Sequence, residues 1–363
     1  MLNERMNIQM TPAKNRKKSC LQIIGAKGSG GAEAFYVRFV NALSKHMDVH
    51  CVVREKSWVS KQLISSNVTL HELPFGNVFD FKTRIKIKRL SNKFKPNFSQ
   101  LWMNRAGQKL PKMSAPVAGR MGGYYNLKYY KNCDHLIGNT EDICTYMKTE
   151  GWPEEKVHYL SNFPVMPEKG WQKERDEVRS SLGLKNDEKV IFCAGRLHEV
   201  KAFDVAIRAL SKLPENTHMI LVGSGALENG LKSLASETGV QERVHFMGWQ
   251  NNITPCVAAS DIWLAPSRYE PLGNIVLEAW AHEKPVVAAR SKGPESLIQH
   301  EKTGLLFDVD DVDGCVSQLQ AVLSDDKAAK NMVKKGSAFL KENFGEDVIM
   351  KKYLEFYERI CAE

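Results

Sequence analysis

A chain of 363 residues is too long for one ordinary core, so two domains are expected. It is 43% hydrophobic with no apolar run near membrane-spanning length, which argues against an embedded protein and fits a soluble one. The net charge of +9 is uneven, +14 over residues 1–170 and −5 over the remainder, and the eight cysteines are scattered without a Cys-x-x-Cys, which favours buried thiols in a reducing cytoplasm over disulfides or zinc.

The N-terminus carries Pro12 and the basic run Lys14-Asn-Arg-Lys-Lys18, with no apolar signal-peptide core before the strand expected at 21–24. The loop Gly25-Ala-Lys-Gly-Ser-Gly-Gly31 follows, then a helix over 32–45 and a strand over 49–53. This is a βαβ unit with a glycine-rich first turn, the usual Rossmann opening, although the G-x-G-x-x-G spacing is not met. The glycines serve either a ligand or simply a tight strand-to-helix turn. The segment 82–95 holds seven basic residues among fourteen, interleaved with Ile85, Ile87, Leu90 and Phe94. Such a basic, partly amphipathic segment suits anionic lipid headgroups. A solvated helix face is the plain alternative, and no nucleic-acid module surrounds the patch. Further strands are expected at 68–73, 99–103 and 134–138, a helix at 141–148, and a strand over 157–164 that ends at Pro164.

The stretch 167–189 looks like a crossing between domains with a short helix near 174–182. The βα rhythm then restarts. Continuous apolar strands are expected at 190–194, 219–222, 244–247, 262–265, 285–289 and 304–307. Their following turns are Gly195-Arg196, Gly223-Ser-Gly225, Gly248-Trp249, the acidic stretch from Ser267, Gly293-Pro294 and Asp308-Val-Asp310. Asp308–Asp313 contains two Asp-x-Asp pairs before a helix near 314–323, which fit loop and N-cap carboxylates better than metal ligands. The last helix, about 348–360, is too apolar for a free tail.

The most informative stretch is Ser267-Arg-Tyr-Glu-Pro-Leu-Gly-Asn-Ile-Val-Leu-Glu-Ala-Trp280. Glu270 falls in a turn after a buried strand, and Glu278 one turn into the next helix. The N–H groups of Gly273, Asn274 and Ile275 lie free at that helix's start, an anion site. Taken alone, the two acids also suit helix-start caps. Upstream, Arg196 and Lys201 follow a buried strand and offer a planar fork and a compact charge for phosphate oxygens.

This Glu-x7-Glu segment, with Arg196 and Lys201, resembles the retaining glycosyltransferases of family 4. The resemblance implies the GT-B fold, an α/β architecture of two facing Rossmann-like domains with a cleft between them and a C-terminal helix crossing back to the first domain. The implied division is 1–166 for the acceptor, 167–345 for the nucleotide sugar, and 346–363 for the crossing helix. It also implies catalytic roles for Arg196 and Lys201 on the departing diphosphate and for Glu270 on sugar hydroxyls. Glu278 would hold the ribose, and Leu272, Gly273, Asn274 and Ile275 would meet phosphate. Gly223 and Gly248 would line the base and ribose, and the Gly-Gly-x-Glu turn with Gly30 and Gly31 would lie near the donor phosphates and the acceptor.

Residues 120–135, which stack tyrosines with basic groups, resemble bacterial members that build lipopolysaccharide core or surface glycans. Asn104, Arg105, Arg120, Tyr124 and Tyr125 are therefore candidate acceptor contacts. Gly122 and Gly123 occupy the region where many members carry a donor-sugar His, and His135 falls deeper in a strand as a structural residue. The function implied is sugar transfer from a nucleotide diphosphate sugar, most simply a UDP-sugar, to a glycan or lipid-linked acceptor. No metal or other cofactor is implied. The expected place is the cytoplasm, peripheral on the inner membrane face, with an anionic membrane surface as partner and no nucleic acid. A sugar-nucleotide epimerase of the same fold and a non-catalytic binding protein are the rival readings.

Overall fold

The computed structural model describes residues 18–77, 79–168 and 170–363. Most of the basic run 14–18 lies outside them. The chain forms two compact units. Unit 1 takes the described residues up to Gly138, then Ile143–His158 and Leu354–Glu363; unit 2 takes Asn139–Asp142 and Tyr159–Tyr353.

In unit 1 the elements run β1 (Ser19–Ile24), α1 (Gly31–Ser44), β2 (Asp48–Arg54), α2 (Trp58–Leu63), β3 (Thr69–Leu73) and α3 (Phe81–Phe94). They continue with β4 (Phe98–Trp102), α4 (Met103–Lys109), β5 (Val117–Met121), β6 (His135–Gly138), α5 (Glu141–Thr149) and β7 (Val157–Tyr159). The seven-stranded sheet has the order β3-β2-β1-β4-β5-β6-β7. Its recorded registers are parallel. The central strands are buried along their whole length, as a sheet covered by helices on both faces requires.

Two expectations need correction here. The strand assigned to 99–103 ends at Trp102, because Met103 turns to φ 64° and opens α4 without an intervening loop. The strand assigned to 157–164 is three residues long, and the rest up to Pro164 is irregular. β5 was not anticipated.

Unit 2 runs α6 (Gln172–Ser181), β8 (Lys189–Ala194), α7 (Phe203–Ser211), β9 (Thr217–Val222), α8 (Glu228–Glu237), β10 (Val244–Gly248) and α9 (Thr254–Ala259). It continues with β11 (Ile262–Ala265), α10 (Asn274–Ala281), β12 (Val286–Ala289), α11 (Lys292–Leu297), β13 (Leu305–Phe307), α12 (Val312–Ser324), α13 (Asp326–Phe344) and α14 (Glu346–Ala362). The six-stranded sheet has the order β10-β9-β8-β11-β12-β13, parallel in its recorded registers. Its middle is tight: Phe192 and Trp263 on adjacent strands meet edge-on at 4.6 Å.

The end of α14 belongs to unit 1. Tyr357 stacks on Phe98 at 3.9 Å and its hydroxyl donates to Gln100 Oε1 at 2.6 Å. No helix among the described residues is long and apolar enough to cross a membrane. All eight cysteines are free, and all but Cys361 are buried.

Candidate active site

In an open parallel sheet, ligands bind outside the carboxyl ends of the strands where the strand order reverses. In unit 2 that point lies between β8 and β11. The loop after β8 carries Arg196 and closes in a single 3-10 turn, Glu199–Lys201. The loop after β11 carries Glu270. The topology therefore brings together residues far apart in the chain: Lys201 Nζ donates to Glu270 Oε2 at 2.6 Å, with the side chains 22% and 12% exposed. Arg196, on the same loop as Lys201, is exposed and makes no hydrogen bond or ion pair among the described residues.

The surrounding loops are tied closely. Gly195 N–H donates to Val222 O, Leu197 N–H to Ser224 O and Gly223 N–H to Gly248 O, at 2.9, 3.0 and 2.8 Å. A side chain at Gly223 is impossible there, because a Cβ would lie 1.8 Å from Gly195 O and φ is 143°. Gly273, at φ 73°, turns the chain into α10, and a Cβ on it would fall 2.8 Å from Leu297 Cδ1. The Gly293 N–H donates to Glu270 O at 2.8 Å, which pins the same turn to α11. No side chain caps α10, so the first-turn amides at Asn274 and Ile275 meet no capping group. Leu272 and Ile275 are buried, and Asn274 Oδ1 accepts from Asn162 Nδ2 at 3.0 Å. Glu278 lies half-buried on α10, whose Trp280 donates to Thr303 O at 2.8 Å.

Arg268, inside the acidic motif, was not anticipated as a site residue. It donates twice to Asp204, at 3.0 and 2.7 Å, to Asp310 at 2.6 Å and to Glu199 O at 2.7 Å. The Asp204 hydrogen bond is the main cause of its raised pKa. One guanidinium thus clamps the Glu199–Lys201 turn, α7 and the loop before α12 around the Lys201–Glu270 pair. No local signal marks it, since Asp204 and Asp310 stand 64 and 42 positions away. The other acids of that loop are likewise engaged: Asp308 with Arg290 at 3.3 Å, Asp313 with Lys212 at 2.6 Å, and Asp311 with Gly314 N–H at 2.9 Å. A separate cavity of about 220 Å³, floored by Phe203, Leu227, Leu231 and Leu234, includes neither Lys201 nor Glu270 in its lining.

In unit 1 the strand order reverses between β1 and β4. Gly30 is the extended residue before α1 and Gly31 its first residue. Asn104 and Arg105 occupy the first turn of α4; Asn104 Oδ1 is buried without a hydrogen-bond partner, and Arg105 donates to Gly76 O at 2.8 Å. Arg120, one of the candidate acceptor contacts, lies in the interior. It is 3% exposed, with its guanidinium 4.8 Å from the Phe35 ring and 4.7 Å from Trp102. Tyr130 is fully buried and Tyr125 packs on the unit 1 core, whereas Tyr124 is 37% exposed. Burial, opposed by Arg120 and reinforced by Glu33, raises the Tyr125 pKa. His135 is buried against His158 at 3.1 Å, a structural position as expected.

Residues 174–339 match the family described as Glycosyl transferases group 1. The lipopolysaccharide core biosynthesis glycosyltransferase LpsE of Rhizobium meliloti is 30% identical over 332 residues, covering 90% of this chain and 95% of that protein. The chain belongs to the group 1 glycosyltransferases. A second relative, the core biosynthesis glycosyltransferase LpsD of the same organism, is 30% identical over 92% of this chain and 96% of its own length. The crystal structure of Anabaena HepE, solved with UDP and glucose, superposes with a TM-score of 0.81 at 18% identity, over 94% of this chain and all of that one. It shows the shared GT-B fold. The protein is thus a glycosyltransferase, and the epimerase alternative falls away.

Proposed function

We propose that this glycosyltransferase is a retaining enzyme that moves a sugar from a nucleotide diphosphate sugar, a UDP-sugar in the simplest case, to a glycan or lipid-linked acceptor of lipopolysaccharide or surface polysaccharide. The Lys201–Glu270 contact carries the reading. A cation and a carboxylate one hydrogen bond apart match a ligand whose phosphate and sugar hydroxyls are joined, and the neighbouring Arg196 is exposed. Arg196 and Lys201 neutralise the departing diphosphate, and the amides at Gly273–Ile275 add the field of a helix start. Glu270 orients the sugar and Glu278 grips the ribose. Gly30, Gly31, Gly223 and Gly248 let backbone approach the donor. The leaving phosphate takes the proton of the incoming hydroxyl on the same face. Anabaena HepE, of the same fold, was crystallised with UDP and glucose, which supports the donor class.

Asn104, Arg105, Tyr124 and Tyr125 are the acceptor contacts, and Arg120 supports them from the core. The lipopolysaccharide core relatives support the acceptor class. The enzyme works in the cytoplasm, held to the inner membrane face by α3. Purified protein incubated with a panel of sugar nucleotides tests the proposal through release of nucleoside diphosphate. Release should occur with one donor and survive EDTA, since Asp308, Asp310, Asp311 and Asp313 are engaged with other groups. Release from no donor overturns the reading.

A further inference from the structure

Two oxygen acceptors are withdrawn from water at the reversal point of the unit 1 sheet. Glu33 is 9% exposed on the first turn of α1, the helix that follows β1. Its carboxylate turns back toward Gly30, where a Cβ would lie 3.0 Å from Oε2. In a capping box this side chain would accept the N–H of the residue before the helix. Here its one recorded hydrogen bond is from its own main-chain amide, and it pairs with no cation among the described residues. Burial raises its pKa accordingly. Asn104 Oδ1, on the helix that follows β4, is a buried acceptor without a hydrogen-bond partner. β1 and β4 are neighbours, and the loop after β1 touches α4: a Cβ on Gly25 would meet Arg105 Cγ at 2.5 Å.

Buried acceptors are normally satisfied, so a carboxylate held only by its own amide and an amide oxygen with no partner, both at the edge where ligands bind, are informative. The ligand that satisfies them brings donors and no negative charge to this spot. A phosphate does neither. A sugar's hydroxyl groups do both.

The geometry points to Glu33 as the residue that accepts a hydrogen bond from a hydroxyl next to the attacking one on the glycan acceptor, with Asn104 Oδ1 taking a further hydroxyl of the same sugar; the attacking hydroxyl keeps its proton for the departing phosphate. This role rests on the glycosyl-transfer reading above. Glu33 orients the acceptor sugar and is itself unchanged.

The test compares wild type with Glu33→Gln, Glu33→Asp and Asn104→Ala. Initial rates are measured with the best donor of the panel and three acceptor probes: core-truncated lipopolysaccharide, an undecaprenyl-diphosphate sugar and free hexose. Calorimetry with the nucleoside diphosphate alone reports the donor site. A hydrogen bond to a charged acceptor predicts a fall of about ten- to hundredfold in kcat/KM for the acceptor in Glu33→Gln. Nucleoside diphosphate affinity should stay within about twofold, and Glu33→Asp should recover part of the loss. Asn104→Ala should raise the acceptor KM independently. Wild-type acceptor kinetics in Glu33→Gln overturn the role, as does an equal loss of nucleoside diphosphate affinity. A wild-type protein that releases diphosphate from no donor overturns the transfer reading, and this role falls with it.

Discussion

The Lys201 ammonium donates to Glu270 Oε2 at 2.6 Å although 69 positions separate them in the chain. The contact joins the loops after β8 and β11, and Arg268 of the second loop adds bonds to Glu199 O of the first and to Asp204 of α7. Charge and position are therefore set before any substrate arrives, which is the condition for electrostatic catalysis to cost no reorganisation.

Arg196→Ala and Lys201→Ala should separate function from folding. On the proposed mechanism each removes a cation from the departing diphosphate and should cost on the order of a hundredfold in turnover. Arg196 is exposed and unpaired among the described residues, so its removal should leave the melting temperature unchanged. Lys201 leaves Glu270, 12% exposed, without its partner, and should also cost about 1–3 kcal/mol of stability. Wild-type transfer rates in both variants would remove the diphosphate assignment.

Glu278→Ala should weaken binding of the nucleoside diphosphate by about 1.5–3 kcal/mol, the worth of a hydrogen bond between a ribose hydroxyl and a carboxylate. Calorimetry reads this without any acceptor. Glu278 is half-buried on a helix anchored by Trp280, which donates to Thr303 O and accepts at its own carbonyl from Ser337 of α13, so the fold should tolerate the change. Unchanged affinity takes Glu278 out of the site.

The legible parts of the fold are those where one local pattern suffices. Val190-Ile-Phe-Cys193 and Ile262-Trp-Leu-Ala265 are unbroken apolar runs, and both are central strands. β5, Val117-Ala-Gly-Arg-Met121, carries glycine and arginine where a strand pattern wants apolar residues. Its Arg120 lies inside, with the rings of Phe35 and Trp102, distant in the chain, 4.8 and 4.7 Å from its guanidinium. The acidic motif and the two cations stand out in the sequence, but the contact between Lys201 and Glu270 depends on sheet order. Glu33 and Arg268 escape for the same reason. Each has a local motif to belong to, and its role is set by what the tertiary fold supplies or withholds.

The docking of α14 on unit 1 should weaken in acid. His158 lies against His135 at 3.1 Å and Arg359 at 3.1 Å. Burial first, then Arg359 and His135, lowers its pKa from the ordinary 6.5 to about 4, while Glu363 pulls the other way and Lys156 adds to the lowering. The folded state thus binds fewer protons than the unfolded chain between these values. Its stabilisation is complete above about pH 6.5 and is lost as pH falls toward 4. His135 is lowered too, chiefly by burial, and reinforces the trend. Thermal melts from pH 7.5 to 4.5 should show a falling midpoint, with a smaller slope in His158→Gln. An identical slope in that variant would assign the acid sensitivity to other groups.

The basic helix α3 has an apolar companion that sequence alone does not expose. Thr83, Ile87 and Ser91 are its buried residues, while Phe79, Phe81 and Ile85 stand 79, 65 and 51% exposed. Lys82, Lys86 and Arg89, at helical spacing i, i+4 and i+7, are exposed on a common face with Ile85. Aromatic and aliphatic side chains beside clustered cations fit the headgroup boundary of an anionic bilayer, and each Lys or Arg there contributes about 1 kcal/mol. The attraction is screened, since the Debye length shrinks to roughly 3 Å at 1 M salt. Co-sedimentation with vesicles should therefore require anionic lipid and fall with added salt. Changing Lys82, Lys86 and Arg89 to Glu should abolish it, while Phe81→Ala with Ile85→Ala should weaken it and leave the salt dependence in place. None of these residues belongs to the Lys201–Glu270 site, so donor hydrolysis in solution should survive every one of the changes. Equal binding to neutral vesicles would contradict the electrostatic part of this reading. No binding at low salt would leave α3 a solvated face, with Phe79, Phe81 and Ile85 awaiting another explanation.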